Sequence, residues 1–209
     1  TKTFAAIWLL MFCMLAVFAW RHWSELTSNI SDQILAADNI LLLWLVYPII
    51  KICHELGHGY AIKRYGGQVH EVGIMLLVFF PMPYVDASAS TAFASKYQRM
   101  LVDAAGMLVE LFIAALAMVV WLNVEEGLVK SFSYNILFIA GVSTIIFNGN
   151  PLLRFDGYYL LADWLEMPNL SQNSNKYWAY LSKRYLFGLR KHPSPANDFF
   201  EAFVFLLYG

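Results

Sequence analysis

The chain carries two histidines and a glutamate close together, in the order His54-Glu55-Leu56-Gly57-His58. Side chains four residues apart lie on one face of an α-helix, about 6 Å apart along its axis, so both imidazoles can bind one ion. The glutamate can then act as the base toward a water on that ion, which is the H-E-x-x-H arrangement of zinc peptidases. The sequence therefore predicts His54 and His58 as zinc ligands and Glu55 as the catalytic base.

The setting of this motif is unusually apolar. Residues 39–50, just before it, carry no charge. An H-E-x-x-H sequence also occurs by chance in unrelated proteins. In an apolar helix, however, two imidazoles and a carboxylate would be desolvated without benefit unless they had a function. The sequence therefore predicts a metal-dependent hydrolase that works inside a membrane.

Composition supports the membrane independently. Hydrophobic residues make up 59% of the chain and charged residues 14%, against roughly 45–50% and about 25% in soluble domains. The net charge of −1 and the absence of a basic run argue against nucleic acid as a partner. Cys13 and Cys53 both lie in apolar segments, so we expect buried thiols rather than a disulfide.

We expect a mainly α fold, a polytopic transmembrane helix bundle. A membrane-spanning helix needs about 20 largely apolar residues, and the candidates are residues 4–20, 38–65, 96–122, 134–147 and, incomplete, 199–208. No small-x-small cleavage site follows the first, so we interpret it as a retained helix rather than a signal peptide. Between the spans we expect a loop at 21–37, a broken segment at 148–167 and a polar region at 168–197.

Residues 68–86 form a small strand-like or re-entrant segment in this scheme. Their β-branched and aliphatic residues favour strands, but Pro81 and Pro83 end a regular element quickly. The stretch is too short to span as a helix. It is either a small hairpin or a re-entrant segment whose backbone is covered by protein or water.

Orientation follows from the placement of lysine and arginine. With a cytoplasmic N-terminus, ten basic residues lie in cytoplasmic regions: Lys63, Arg64, Lys96, Arg99, Arg154, Lys176, Lys183, Arg184, Arg190 and Lys191. The opposite side then keeps only Arg21 and Lys130. We therefore expect the histidines in the cytoplasmic half of their helix.

A zinc site needs a third protein ligand and one position open to water. Asp156 is the best candidate, because a helix ends at Asn150-Pro151 before it and Gly157 follows it, so the side chain can point into the bundle. The other acidic and histidine candidates are His22, His70, Glu71, Asp86, Asp103, Glu110, Asp163 and His192.

For three further polar residues the sequence allows two roles each, and for a fourth it indicates none. Asn150 either stabilises an oxyanion or holds an extended substrate, or it opens an ordinary Asn-Pro turn. Glu110 could accept a hydrogen bond from a ligand histidine, but we favour a structural role in a helix contact. Lys51, one turn before His54, should face water in the cleft or pair with a carboxylate. No role is assigned to Asp103.

These residues together resemble the site-2 protease family of intramembrane zinc metalloproteases, over about residues 40–167. The family motif N-P-x-P-x-L-D-G is kept at Asn150, Pro151, Asp156 and Gly157, while Leu153 and Phe155 depart from it. The sequences Pro-Met-Pro-Tyr-Val-Asp at 81–86 and Gly-Met-Leu-Val-Glu-Leu at 106–111 resemble the branch of peptide zinc metalloproteases associated with membrane-fusion-type export proteins.

The resemblance implies regulated intramembrane proteolysis. The expected function is zinc-dependent hydrolysis of peptide bonds in a membrane-associated or exported peptide, with His54, His58 and Asp156 holding Zn²⁺. The alternative is a non-proteolytic membrane subunit of a peptide export complex, which binds peptide or braces an adaptor protein. The implied partners are membrane lipid, a peptide or single-span membrane protein, and an export-complex adaptor.

We expect an integral protein of the bacterial inner (cytoplasmic) membrane. The chain starts without methionine and stops inside an apolar segment. We therefore expect residues 1–209 to be one membrane-embedded metalloprotease domain cut from a longer chain, with its core at about 38–167.

Overall fold

The chain folds as a mainly helical bundle with one small hairpin. The computed structural model describes residues 2–28, 37–77, 80–186, 188 and 193–209. The helices are α1 (Lys2–Arg21), α2 (Trp23–Thr27), α3 (Ala37–Arg64), α4 (Lys96–Asn123), α5 (Leu128–Val142), α6 (Asp156–Leu165), α7 (Leu170–Tyr185) and α8 (Phe199–Tyr208). The strands are β1 (Val72–Leu77) and β2 (Phe80–Val85). A 3₁₀ turn follows at Ser88–Ala92, and a π-helical turn at Ser143–Asn148 extends α5.

Three helices among the described residues are long and apolar enough to cross a membrane. They are Ile40–Arg64, Lys96–Asn123 and Leu128–Asn148; the apolar stretches Ala6–Arg21 and Phe199–Tyr208 are shorter. One face of α3 exposes large apolar side chains, among them Ile40, Leu41, Leu45, Ile49 and Ile52. An exposed apolar stripe of this length is typical of a helix that faces lipid. The expected polytopic bundle is therefore confirmed at the level of the fold.

Helix α4 is the centre of the bundle and packs against α3, α5 and α6. Glycines let α3 and α4 approach closely, because a Cβ at Gly57 would lie 2.9 Å from the backbone oxygen of Ala105. Small residues at such contacts are characteristic of helix packing in membranes. The buried residues Val46 and Ile50 of α3, Ala114 of α4, and Ile139 and Ala140 of α5 form the apolar core beside this contact.

The segment at 68–86 is a hairpin, one of its two predicted forms. Strands β1 and β2 pair antiparallel, with Val72 opposite Val85 and Leu76 opposite Pro81. The prolines do not end the strand as expected but lie inside β2. The Asp86 N–H donates to the Glu71 carbonyl oxygen at 2.9 Å, and this register turns the nitrogens of Pro81, Pro83 and Val85 away from β1. Proline is tolerated there because no ladder hydrogen bond is lost.

Several predicted boundaries were wrong. The fourth span begins at Leu128, not 134, because Lys130, Ser131 and Ser133 interrupt the apolar pattern of its first two turns without ending the helix. The loop at 21–37 contains α2, and the polar region at 168–197 contains α7, a largely polar helix that packs on α8 through Leu170, Tyr177 and Phe205. Three residues of the sequence-based scheme lie outside the described residues. They are Arg190 and Lys191, which were predicted to be cytoplasmic, and His192, a candidate metal ligand.

Candidate metal centre

One helix and the start of another bring three ligand-type side chains together. The Nε2 atoms of His54 and His58, both on α3, lie 3.1 Å apart. Asp156, the first residue of α6, places Oδ2 3.1 Å from Nε2 of His54 and 3.5 Å from Nε2 of His58. One ligand atom from each of the three lies within 4.8 Å of the others. The structure thus unites the three residues that the sequence singled out.

Both imidazole rings have an acceptor beside their other nitrogen. Nδ1 of His58 lies 2.7 Å from the backbone oxygen of Val102, which can only accept, so Nδ1 carries the proton. Nδ1 of His54 lies 3.1 Å from Oε1 of Glu110, within ion-pair distance. Its geometry is not that of a hydrogen bond, and Nδ1 has no hydrogen-bond partner among the described residues. Both surroundings favour the tautomer whose Nε2 bears a lone pair.

The residues fit a metal ion. Two Nε2 lone pairs that face each other at 3.1 Å repel unless a cation lies between them. Oδ2 of Asp156 is buried and has no hydrogen-bond partner among the described residues. Two imidazoles and a carboxylate are the donor set of a catalytic zinc site with an open position.

Gly106 of α4 makes room for this cluster. A Cβ built there would lie 2.5 Å from Nε2 of His54 and 2.5 Å from Nε2 of His58. No side chain larger than hydrogen fits without moving a ring. The glycine therefore allows both rings to approach α4 closely.

Glu55 lies next to the cluster and is held by the hairpin. Its Oε2 accepts the Val85 N–H at 3.0 Å. Val85 can donate to it because the register turns this N–H away from β1. The predicted base is thus oriented by the end of β2.

Two cavities meet at Glu55 and Asp156. The larger, of about 660 Å³, is mostly apolar and is bounded by α3, α5, the π-helical turn and Met82 of β2. The smaller, of about 340 Å³, is more polar and is lined by Ser88, Thr91 and Asp103 among others. Access to the site is therefore possible from two sides of different polarity.

Glu110 lies beside the three ligand-type side chains. The sequence predicts contact with a ligand histidine only as its less favoured role. It is fully buried, and its carboxylate receives Lys51 Nζ at 2.6 Å, Thr144 Oγ1 at 2.6 Å and Asn148 Nδ2 at 3.1 Å. Its distance from His54 is compatible with the acceptor role. Its contacts with Lys51, Thr144 and Asn148 join three helical elements, which is what the favoured structural role predicts. Lys51 pairs with a carboxylate, as one of its two predictions stated.

The two asparagines of the broken segment are placed differently. Oδ1 of Asn150 accepts the Leu152 N–H at 3.0 Å in a tight turn. Asn148, which the sequence did not single out, is buried and lines the larger cavity together with Glu55 and Asp156. The only feature of the sequence that could have indicated Asn148 is its position just before the helix break at Asn150-Pro151.

The other candidates for a third ligand lie elsewhere or have other partners. His22 lies 3.2 Å from Glu25, Asp86 accepts the Ser88 N–H, and Asp163 pairs with Arg99 at 2.8 Å. Asp103 lines the smaller cavity but does not join the three ligand atoms. His70 and Glu71 lie in the connection before β1.

Comparison with known proteins finds a distant similarity to one curated protein. A protein of Bacillus subtilis (strain 168) named "Putative peptide zinc metalloprotease protein YydH" is 23% identical over 171 residues, 81% of this chain and 66% of that protein. A continuous stretch of that size necessarily includes residues 54–156. No family model matches the chain, and no solved structure matches it significantly. The chain is therefore similar, at low identity, to about 66% of the length of a protein with that name.

Proposed function

We propose that this chain is an intramembrane zinc metalloprotease that hydrolyses peptide bonds of a membrane-associated or exported peptide. One observation carries the proposal. The Nε2 atoms of His54 and His58 and a carboxylate oxygen of Asp156 lie within 4.8 Å of one another, with Glu55 beside them. Their place on α3 and α6, within a bundle of apolar helices, supports the intramembrane setting.

In this proposal His54, His58 and Asp156 hold the zinc, which supplies Lewis-acid polarisation and a lowered pKa of water. Glu55 serves as general base and then general acid. Because its Oε2 is held by the Val85 N–H, Oε1 is the oxygen that takes the proton from water. The same oxygen then donates it to the leaving amine.

The larger cavity and the edge of β2 would receive the substrate. A peptide bond in a helix is shielded by its own hydrogen bonds, so the substrate must become extended. The carbonyls of Pro81 and Pro83 point away from β1 and can accept hydrogen bonds from an added strand. The apolar lining from α5 and the π-helical turn suits the side chains of a membrane peptide.

The proposed setting is the bacterial inner membrane, with the active site toward the cytoplasm. The lysine and arginine bias between the two sides supports this orientation. The substrate is a peptide or a single-span membrane protein, and an adaptor of an export complex is a further proposed partner.

The test uses the purified full-length protein in detergent and the peptides encoded beside it in its genome, with cleavage followed by mass spectrometry. We expect one zinc per chain, lost in His54→Ala. Glu55→Gln should keep the zinc and lose about 10²–10⁴-fold in turnover, because the amide cannot accept the proton.

A cell-based arm separates the protease from the export subunit. If Glu55→Gln supports export and peptide maturation at wild-type levels while deletion does not, the chain is a non-proteolytic subunit. Full zinc occupancy in both His54→Ala and His58→Ala would contradict the metal centre itself.

A further inference from the structure

A buried cluster of charged and polar side chains lies against the Nδ1 side of His54, whereas Asp156 faces its Nε2. It is centred on Glu110 of α4, which is 0% exposed. Its Oε1 faces Lys51 at 2.6 Å and His54 Nδ1 at 3.1 Å, and its Oε2 faces Thr144 and Asn148. The proposed hydrolysis uses none of these contacts.

The cluster joins three elements. Lys51 and His54 lie one turn apart on α3, Glu110 lies on α4, and Thr144 and Asn148 belong to the π-helical turn. A π-helical turn adds a residue to the helical turn, and such turns recur at functional sites. The side chains of Thr144 and Asn148, four residues apart, both reach one carboxylate oxygen of Glu110.

A desolvated carboxylate of this kind is expensive unless it is fully paired. Glu110 has Lys51 as its counter-ion, and Lys51 Nζ also donates to Ser143 Oγ at 2.6 Å. Hydrophobic residues of similar volume would usually serve a helix contact at least as well as a buried ion pair. A purely structural role therefore does not explain why an anion is kept at this position.

The contact with His54 does explain it. A carboxylate at 3.1 Å from Nδ1 attracts an N–H and repels a lone pair. It therefore places the proton of His54 on Nδ1 and the lone pair on Nε2, toward His58 and Asp156. His58 has a backbone carbonyl, that of Val102, in the same place, so the two ligand rings are oriented by acceptors of different charge.

We infer that Glu110 is a positioning residue of the metal centre, which orients His54 through Nδ1, and that Lys51 is the counter-ion that allows a carboxylate to be buried there. The inference rests on the proposed zinc site. Partners of this kind typically contribute 10–100-fold to metal affinity.

The experiment compares two double variants in full-length protein. In Lys51→Met/Glu110→Gln the charges are gone but an amide oxygen can still accept from Nδ1. In Lys51→Met/Glu110→Leu the acceptor is gone as well. Leucine and glutamine are similar in size, and neither variant leaves Lys51 as an unpaired buried cation. Zinc affinity is measured by competition with a chelator, and the folding of each metal-free variant by circular dichroism and thermal unfolding.

We expect the glutamine variant to bind zinc within about tenfold of wild type and the leucine variant to bind it a further 10–100-fold more weakly. Equal affinities in two folded variants would overturn the inference while leaving the zinc site intact. If wild type itself binds no zinc, the proposed function fails instead.

A measurement on the wild type keeps the inference testable if the leucine variant does not fold. In zinc-loaded protein with labelled histidine, the Nδ1 proton of His54 should resonate at lower field than that of His58, because a carboxylate is a stronger acceptor than a carbonyl. Through-bond correlations from each imidazole ring to its own backbone assign the two signals. A His54 proton at the same or higher field than the His58 proton would contradict the role of Glu110.

Discussion

Gly106 and His54 belong to different helices, and they are so close that a methyl group on Gly106 would clash with the His54 ring. A Cβ at Gly106 would lie 2.5 Å from both Cε1 and Nε2 of His54. Carbon atoms in proteins pack at about 3.5–4.0 Å. The proposed metal centre is therefore part of the packing between α3 and α4 and not an addition to its surface.

Gly106→Ala should disrupt the metal centre without removing any ligand. We expect zinc affinity to fall by at least about 100-fold, beyond the 10–100-fold typical of losing a ligand's partner, because both rings must move. Gly141→Ala is the matched control, since a Cβ at Gly141 of α5 meets no atom within 4 Å. Zinc titration checks both, and normal zinc binding in Gly106→Ala would refute the close packing.

Val85→Pro should uncouple Glu55 from the hairpin and leave zinc in place. It removes the N–H that donates to Glu55 Oε2 and continues the pattern of Pro81 and Pro83, so the strand pairing is kept. A hydrogen bond to a charged group contributes about 1.5–3 kcal/mol, so turnover should fall about 10–100-fold. Val85→Ile, which keeps the N–H, is the control. Loss of zinc in Val85→Pro would mean that the hairpin supports the ligands instead.

Asn150→Ala separates the two predicted roles of this residue. Its bond to the Leu152 N–H leads us to expect a stability loss of about 0.5–1.5 kcal/mol and turnover within about threefold of wild type. Asn148→Ala is the comparison, because Asn148 lines the larger cavity. A 10²–10³-fold fall in turnover in Asn150→Ala, as for a lost oxyanion donor, would restore its catalytic role.

Removing the metal should destabilise the fold. At a free zinc concentration 100 times Kd, binding stabilises the folded state by about 2.7 kcal/mol, so a chelator should lower the Tm. His58→Ala should abolish this zinc-dependent shift, because it removes one of three ligands. A chelator that lowers the Tm of His58→Ala as much as that of wild type would show that zinc binds elsewhere.

The proposed orientation is tested by labelling with an impermeant thiol reagent. In a background without Cys13 and Cys53, Ser28→Cys and Glu126→Cys should react from outside the cell, and Arg64→Cys should not. All three positions are exposed, and the lysine and arginine bias places the first two outside. The opposite pattern would reverse the orientation and move the site to the outer half of the membrane.

The sequence predicts well what depends on short spacing. His54, Glu55 and His58 lie within two turns of one helix, so their relation follows from helix geometry alone. The apolar spans follow from composition in the same way. The hairpin was predicted only as one of two forms, because β propensity depends strongly on context.

Contacts between distant residues could not be predicted. Lys51 and Glu110 are 59 residues apart, and Glu55 and Val85 are 30 apart. Which side chains meet depends on the rotation of α3 against α4 and on the register of the hairpin. The π-helical turn at Ser143–Asn148 adds a further difficulty, because an inserted residue rotates the residues after it by about 100° relative to a regular helix. Asn148 therefore lines the cavity, although the 3.6-residue period of a regular helix would not have placed it there.

The prolines of β2 also restrict what the hairpin can join. A strand edge normally offers alternating donors and acceptors and can recruit an identical edge from another molecule. The edge at Pro81 and Pro83 offers acceptors without donors, so two copies of it repel rather than aggregate. Only a strand with free N–H groups can form hydrogen bonds along this edge, and an extended peptide has such groups.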